Sequence, residues 1–266
     1  MTMTSTKPFA VVTGASSGIG YQLAAQFAQH GFDLLVVAED AGISDAAQEL
    51  AVHGGAVQSL RADLATSEGV EALYQRIRSS GHALDAIAVN AGVGLSGAFA
   101  DSDLEAQMKL IKLNVLSPVY LTHRVLKDLI ARGHGRILFT SSIAATTPGP
   151  FEATYNASKA FLKSFAEAIR NELKDSGVTV TTLMPGATET NFFHRADADN
   201  TKLGASEKDD PVEVAREGFE ALMAGKDHVV AGSFKNKVQA AAAHVLPDTV
   251  VAAMHRKQSE PGSAHK

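Results

Sequence analysis

Tyr155 and Lys159 stand four residues apart in the stretch TYNASKAF. On a helix that spacing puts a phenol and an ammonium on one face, one turn apart. A free phenol has a pKa near ~10, too high for ready proton exchange at neutral pH, and a neighbouring cation favours the phenolate. The pair is therefore a candidate general acid/base, with Tyr155 passing the proton and Lys159 lowering its pKa. The same stretch carries Asn156-Ala157-Ser158, a match to the N-glycosylation pattern that would place it on the surface of a secreted protein. The opening MTMTSTK has no apolar core of signal-peptide length. No apolar run approaches the ~18 residues of a membrane span. The expectation is a cytoplasmic protein, without membrane contact, whose glycosylation match arises by chance.

A second chemistry-bearing stretch is TGASSGIG, Thr13 to Gly20. Gly14 can supply a sharp turn, Gly18 leaves room for a pyrophosphate to approach the backbone, and Gly20 permits close packing of helix on sheet. A helix opening at Gly18 and Ile19 offers unpaired N–H groups and a positive dipole end to phosphates, with Ser16 and Ser17 as hydroxyl donors. The spacing is G-x3-G-x-G rather than the best-known dinucleotide fingerprint G-x-G-x-x-G.

These residues need elements to position them. Short β-branched runs (FAVVT, DLLVVA, AVQSLRADL, ALDAIAVNAG, GRILFTSS, VTVTTLMPG, DHVVAG) alternate with amphipathic stretches. The helical patterns cover about Gly18–His30, Ser44–His53, Ser67–Ser80, Asp101–Ala131 and Tyr155–Asp175. That alternation predicts an α/β fold of Rossmann type: a doubly wound parallel sheet of about seven strands with helices on both faces. Ligands of such sheets bind beyond the carboxyl ends of the strands. With no linker or repeat, residues 1–266 read as one dinucleotide-binding and catalytic domain. Residues 188–212 read as a mobile lid with Phe192 and Phe193 as apolar cover. Residues 256–266 read as a frayed polar tail.

Bulk composition narrows the function. Hydrophobic residues make up 45% and charged ones 20%, enough to bury a core. A net charge of −5 argues against nucleic-acid binding. The chain has no cysteine, which excludes disulfides and thiolate chemistry, and its ten histidines show no metal-ligand spacing.

Four motifs in order, TGASSGIG, Asn90-Ala91-Gly92, a serine ending the fifth strand, and Tyr155-x3-Lys159, resemble the short-chain dehydrogenase/reductase family in its compact single-domain form. The likeness runs from about Phe9 to Gly186. Strand alternation lets only one of Ser141 and Ser142 face a site. The resemblance selects Ser142, thirteen residues before the tyrosine. It implies an NAD(P)-dependent oxidoreductase interconverting a carbonyl and a secondary alcohol. Tyr155 would be the proton donor or acceptor, Ser142 would hold the substrate oxygen, and Lys159 would also reach the nicotinamide ribose. Asn114, in KLNVLSP, would be the fourth catalytic member. Pro118, four residues on, has no N–H for the Asn114 carbonyl, which is thereby freed to hold a water.

The resemblance also implies dinucleotide contacts at Asp63 with Leu64 on the adenine side, and at Asn90, Ala91 and Gly92 along the floor. Pro185, Gly186, Thr188 and Thr190 would lie on the nicotinamide side. The aspartate of NAD-preferring relatives falls at Ala38 and the arginine of NADP-preferring relatives at Glu39, so this chain departs from both patterns. The negative charge of Glu39 and Asp40 favours NAD(H). NADP(H) stays open, with Arg61 near enough in sequence to pair a phosphate. The resemblance further implies a homodimer or homotetramer and a small-molecule partner. A non-catalytic dinucleotide sensor or scaffold, or an epimerase or dehydratase of the same family, are the alternative readings.

Overall fold

The computed structural model describes residues 7–243 and 246–265. Seven strands run through it: β1 (Phe9–Thr13), β2 (Asp33–Ala38), β3 (Val57–Arg61), β4 (Leu84–Val89), β5 (Gly135–Thr140), β6 (Val178–Pro185) and β7 (His228–Ala231). They form one sheet in the order β3-β2-β1-β4-β5-β6-β7, every pair parallel. FAVVT is an unbroken apolar run because β1 lies at the middle of this sheet and is buried on both faces. The strand order reverses between β1 and β4, which opens a crevice at their carboxyl ends.

The helices are α1 (Gly18–Gln29), α2 (Ile43–Leu50), α3 (Ser67–Ser79), α4 (Leu104–Ile111), α5 (Ser117–Arg132), α6 (Ala153–Glu172), α7 (Phe192–Arg195), α8 (Lys202–Ala205), α9 (Pro211–Met223), α10 (Phe234–Ala243) and α11 (Asp248–Ser259). One face of the sheet is covered by α1, α2 and α9, around Leu23, Phe27, Leu50 and Phe219. Phe27 meets Phe32 and Phe219 edge-on, each at 5.1 Å between centroids. The other face is covered by α3, α5 and α6, around Leu73, Leu121, Phe139 and Leu162.

The elements differ in detail from the sequence pattern in three places. The single helical pattern over Asp101–Ala131 is broken into a 3-10 turn, α4, a π-helical segment over Lys112–Leu116, and α5. Pro118, in the first turn of α5, has no N–H to give, and the ladder widens beside it: the Ser117 N–H donates to Lys112, five residues back. The segment 188–212 contains α7 and α8, and a β-bridge joins Thr188 to Asp209. The tail expected to fray instead holds the end of α11 and a 3-10 turn, Ser263–His265; Lys266 lies outside the described residues. Ser259 and Ser263 are buried because their hydroxyls meet Glu152 and the Lys202 N–H, partners remote in the chain.

Candidate active site

The crevice beyond β1 and β4 is a cleft of about 440 Å³, within the usual size of small-molecule sites (~300–1,000 Å³). The glycine turn forms one wall. Gly14 has φ +67° and is tied to β2 by its N–H, which donates to the Val37 carbonyl at 2.8 Å. A Cβ on Gly14 would lie 2.9 Å from Ala91 Cα, and one on Gly20 would strike the Gly14 carbonyl. Ser17 stands at the N-cap of α1 without using its side chain as a cap. The first-turn amides at Gly18, Ile19 and Gly20 therefore lack a side-chain partner where the turn meets the cleft. A turn whose glycines leave its backbone open, with uncapped helix amides beside it, suits a phosphate group. Ser16 also lines the cleft, and its hydroxyl donates to Asp40 at 2.7 Å.

Asn90 closes the floor. Its side-chain amide donates to the Thr13 carbonyl at 3.0 Å, and the N–H groups of Asn90 and Ala91 donate to Thr13 Oγ1. At the far end, Asp63 and Leu64 line the cleft with Glu39. Asp63 Oδ1 accepts from the Ala65 N–H at 2.9 Å, while Thr66 supplies the cap of α3. The half-exposed Glu39 carboxylate is paired with Lys109 of α4 at 3.1 Å, and its backbone carbonyl accepts from Arg61. The acidic rim is thus partly neutralised from two sides.

β5 ends at the polar centre of the cleft. Both serines border the cleft, with different partners: Ser141 Oγ donates to the Lys159 carbonyl at 2.8 Å, while Ser142 Oγ accepts from the Ala144 N–H and donates to the Pro185 carbonyl at 3.3 Å. Tyr155 and Lys159 share the face of α6 that their spacing predicts, with Lys159 Nζ 5.6 Å from the phenol ring centroid. The Lys159 ammonium donates to the Thr140 carbonyl at 2.9 Å.

The expected direction of tuning is reversed. Burial and the nearby Glu152 carboxylate push the Tyr155 phenol above its ordinary range, and its hydrogen bond with Ser142 pulls it back only in part. Burial lowers Lys159 to about 8. The ammonium donates to the Thr140 carbonyl and makes no hydrogen bond to the phenol oxygen.

Asn114 lies in the π-helical segment just behind the cleft, fully buried. Its Oδ1 accepts from the Val93 N–H, and its Nδ2 donates to the Val93 carbonyl and to Ser158. A Cβ on Gly92 would lie 3.2 Å from Asn114 Oδ1 and 3.3 Å from Lys159 Nζ, so these two groups flank one glycine. Asn156 is buried against Gly149 and donates to the Thr147 carbonyl. A glycan has no room there.

The β6 end contributes Pro185, Gly186, Thr188 and Thr190, all lining the cleft. Thr188 Oγ1 donates to the Gly186 carbonyl, and Thr190 packs its methyl group toward Gly18. Phe192 covers Tyr155, ring centroids 5.3 Å apart, and fills the space a Gly94 side chain would take.

All the sequence-derived site residues meet at this cleft, Asn114 from behind. Sequence reasoning missed Glu152, Lys235, His255 and Gln258, which also line the cleft, from the start of α6 and from α10 and α11. The last three carry no motif and are distant in the chain, so only a fold could have found them. Among the described residues there is no cluster of metal-binding side chains and no helix long and apolar enough to cross a membrane.

Comparison with known proteins gives a consistent match. The profile of the short chain dehydrogenase family fits residues 8–201. Over 199 residues the chain is 33% identical to the "Probable oxidoreductase EphD" of Mycobacterium tuberculosis, covering 72% of this chain and 34% of that one. The chain thus spans about a third of the length of that relative. It is 30% identical over 239 residues to dehydrogenase/reductase SDR family member 7B of Rattus norvegicus, covering 84% and 73% of the two chains. A solved short-chain dehydrogenase from Sphingobium yanoikuyae in complex with NADPH is similar at TM-score 0.78 and 30% identity, covering 84% and 87%.

Proposed function

The chain belongs to the short-chain dehydrogenase family, and on that premise we propose that it is an NAD(P)-dependent oxidoreductase interconverting a carbonyl and a secondary alcohol. The observation that carries this reading is that the Ser142 and Tyr155 hydroxyl-bearing side chains line one cleft with the glycine turn, with Lys159 Nζ 5.6 Å from the phenol ring centroid. The turn from Gly14 to Gly20, the Asn90–Gly92 floor and the loop from Pro185 to Thr190 would hold the dinucleotide. When bound, it supplies the hydride.

Tyr155 is the proton donor in reduction and the acceptor in oxidation. Its phenol, held protonated by burial and by Glu152, has the form that reduction needs. Ser142 donates to the substrate oxygen and fixes it within reach of Tyr155. Lys159, lowered to about 8, exchanges protons in the neutral range, and Asn114 on the far side of Gly92 extends that route inward. Phe192 excludes water from the mouth of the site. Glu39 and Asp40 favour NAD(H) by repelling a 2′-phosphate. Lys109 on Glu39, and the NADPH of the Sphingobium relative, keep NADP(H) as the second choice. A second copy of the chain fits the half-exposed apolar side chains Leu116 and Phe161 of the helices beside the site.

The test is Tyr155→Phe, which keeps the ring and removes the proton. Reduction of carbonyl compounds should fall by at least about a thousandfold. NADH or NADPH binding, followed by nicotinamide fluorescence, should stay within about twofold. Turnover that survives the substitution would refute Tyr155 as the proton donor. Dinucleotide binding by the wild-type chain without reduction of any carbonyl would point to a non-catalytic sensor instead.

A further inference from the structure

Glu152 occupies the N-cap position of α6, three residues before Tyr155, yet its carboxylate does not cap that helix. An acidic side chain there would ordinarily accept from the free first-turn amides. Instead it turns away and is buried, with Oε2 bonded to two side chains of α11, more than a hundred residues on. His255 Nε2 and Ser259 Oγ each lie 3.0 Å from it, and 3.0 Å from one another. The three atoms are satisfied together when the imidazole N–H is shared between the carboxylate and the serine oxygen while the serine O–H donates to the carboxylate.

The preceding residue is gripped by the same helix. Phe151 has φ +68°, a left-handed conformation that is strained for an aromatic residue. Its carbonyl accepts from the Gly97 N–H at 2.8 Å, and the Arg256 guanidinium sits 4.9 Å above its ring. Successive α11 residues, His255 and Arg256, therefore clasp the successive residues that launch the helix carrying Tyr155. Both Glu152 and His255 also line the cleft.

We propose that Glu152 is a positioning residue for Tyr155, and that with His255 and Ser259 it forms a latch seating α11 over the substrate end of the cleft. This rests on the reading of Tyr155 as the proton donor. The latch does two things at once. It fixes the strained entry into α6, and so where the phenol points. It also keeps a negative charge beside the phenol, so seating α11 and holding the Tyr155 proton are coupled. The charged groups next to the phenol and carboxylate are Lys159 on α6 and His255 and Arg256 on α11.

The experiment uses the whole chain without substrate, so its result does not depend on whether turnover is found. Hydrogen exchange of the amides at 248–259 reports the seating of α11. The ultraviolet phenolate band, taken as the difference between each protein and the same protein carrying Tyr155→Phe, reports the proton on Tyr155. Glu152→Gln should speed exchange at 248–259 by about tenfold and move the Tyr155 band to lower pH. Ser259→Ala should speed exchange by less and leave the band in place, because the carboxylate remains. Glu152→Asp, which keeps the charge on a shorter arm, should keep the band high while loosening α11. Unchanged exchange in both Glu152→Gln and His255→Gln would overturn the latch. Faster exchange with an unmoved band in Glu152→Gln would leave a tether only and overturn the positioning role. Should Glu152→Gln fail to fold, Glu152→Asp and His255→Gln decide in the same way: unaltered exchange in both overturns the proposal.

Discussion

Lys159 is a buried ammonium whose cost to the fold can be read from its titration. Burial lowers it from 10.5 to about 8. Below pH 8 it is protonated in both folded and unfolded chains, and folding must desolvate the charge. Between pH 8 and 10.5 the unfolded chain binds more protons than the folded one, so stability rises with pH across that window. A depression of this size corresponds to roughly 3 kcal/mol against folding at pH 7, most of which is recovered by pH 10.

Lys159→Met replaces the side chain with an apolar one of similar length and abolishes the titration. It leaves the Thr140 carbonyl without its 2.9 Å donor, a loss of about 1–3 kcal/mol that does not depend on pH. The measurable quantity is therefore the stability of wild type minus that of Lys159→Met, from urea unfolding at pH 7, 8, 9 and 10. Every other titrating group cancels in that difference. It should move in favour of the wild type by about 2–3 kcal/mol from pH 7 to pH 10, most steeply above pH 8. A difference that stays flat across the series would mean that Lys159 keeps an ordinary pKa in the folded chain. The burial argument, and with it a proton-exchanging lysine near neutrality, would then fail.

Three other substitutions probe the cleft. Gly14→Ala forces a Cβ onto a left-handed backbone 2.9 Å from Ala91 Cα; urea unfolding should show a loss of about 1–3 kcal/mol, and NADH fluorescence titration a large loss of binding. Glu39→Gln removes the rim carboxylate and leaves Lys109 unpaired, so the ratio of NADPH to NADH affinity should rise by about tenfold. Lys109→Met should shift the same ratio the other way, and equal ratios in both variants would show that this pair does not select the dinucleotide.

Local features of the chain carried most of the fold and the centre of the site. Apolar runs such as FAVVT and DLLVVA mark strands buried on both faces, and their alternation with amphipathic stretches leaves few topologies besides a parallel doubly wound sheet. The glycine turn and the Tyr155–Lys159 spacing are equally local, so their geometry follows from strand, turn and helix periods alone. Pro118 marked the place where the helical ladder gives way, and the π-helical segment lies beside it.

Partners far apart in the chain were beyond reach. Lys109 meets Glu39 across 70 positions and His255 meets Glu152 across 103, and neither pair has a periodicity or motif to announce it. The direction of the Tyr155 shift was hidden for another reason, because it turns on burial and side-chain orientation rather than on chain distance. Spacing alone put a cation one turn from the phenol and suggested a lowered pKa. Tertiary packing desolvated the ring, brought the Glu152 carboxylate close and turned the Lys159 ammonium toward the Thr140 carbonyl. Sequence determined which groups stand together on one helix face; burial and side-chain orientation, which no local pattern encodes, decided how readily they ionise.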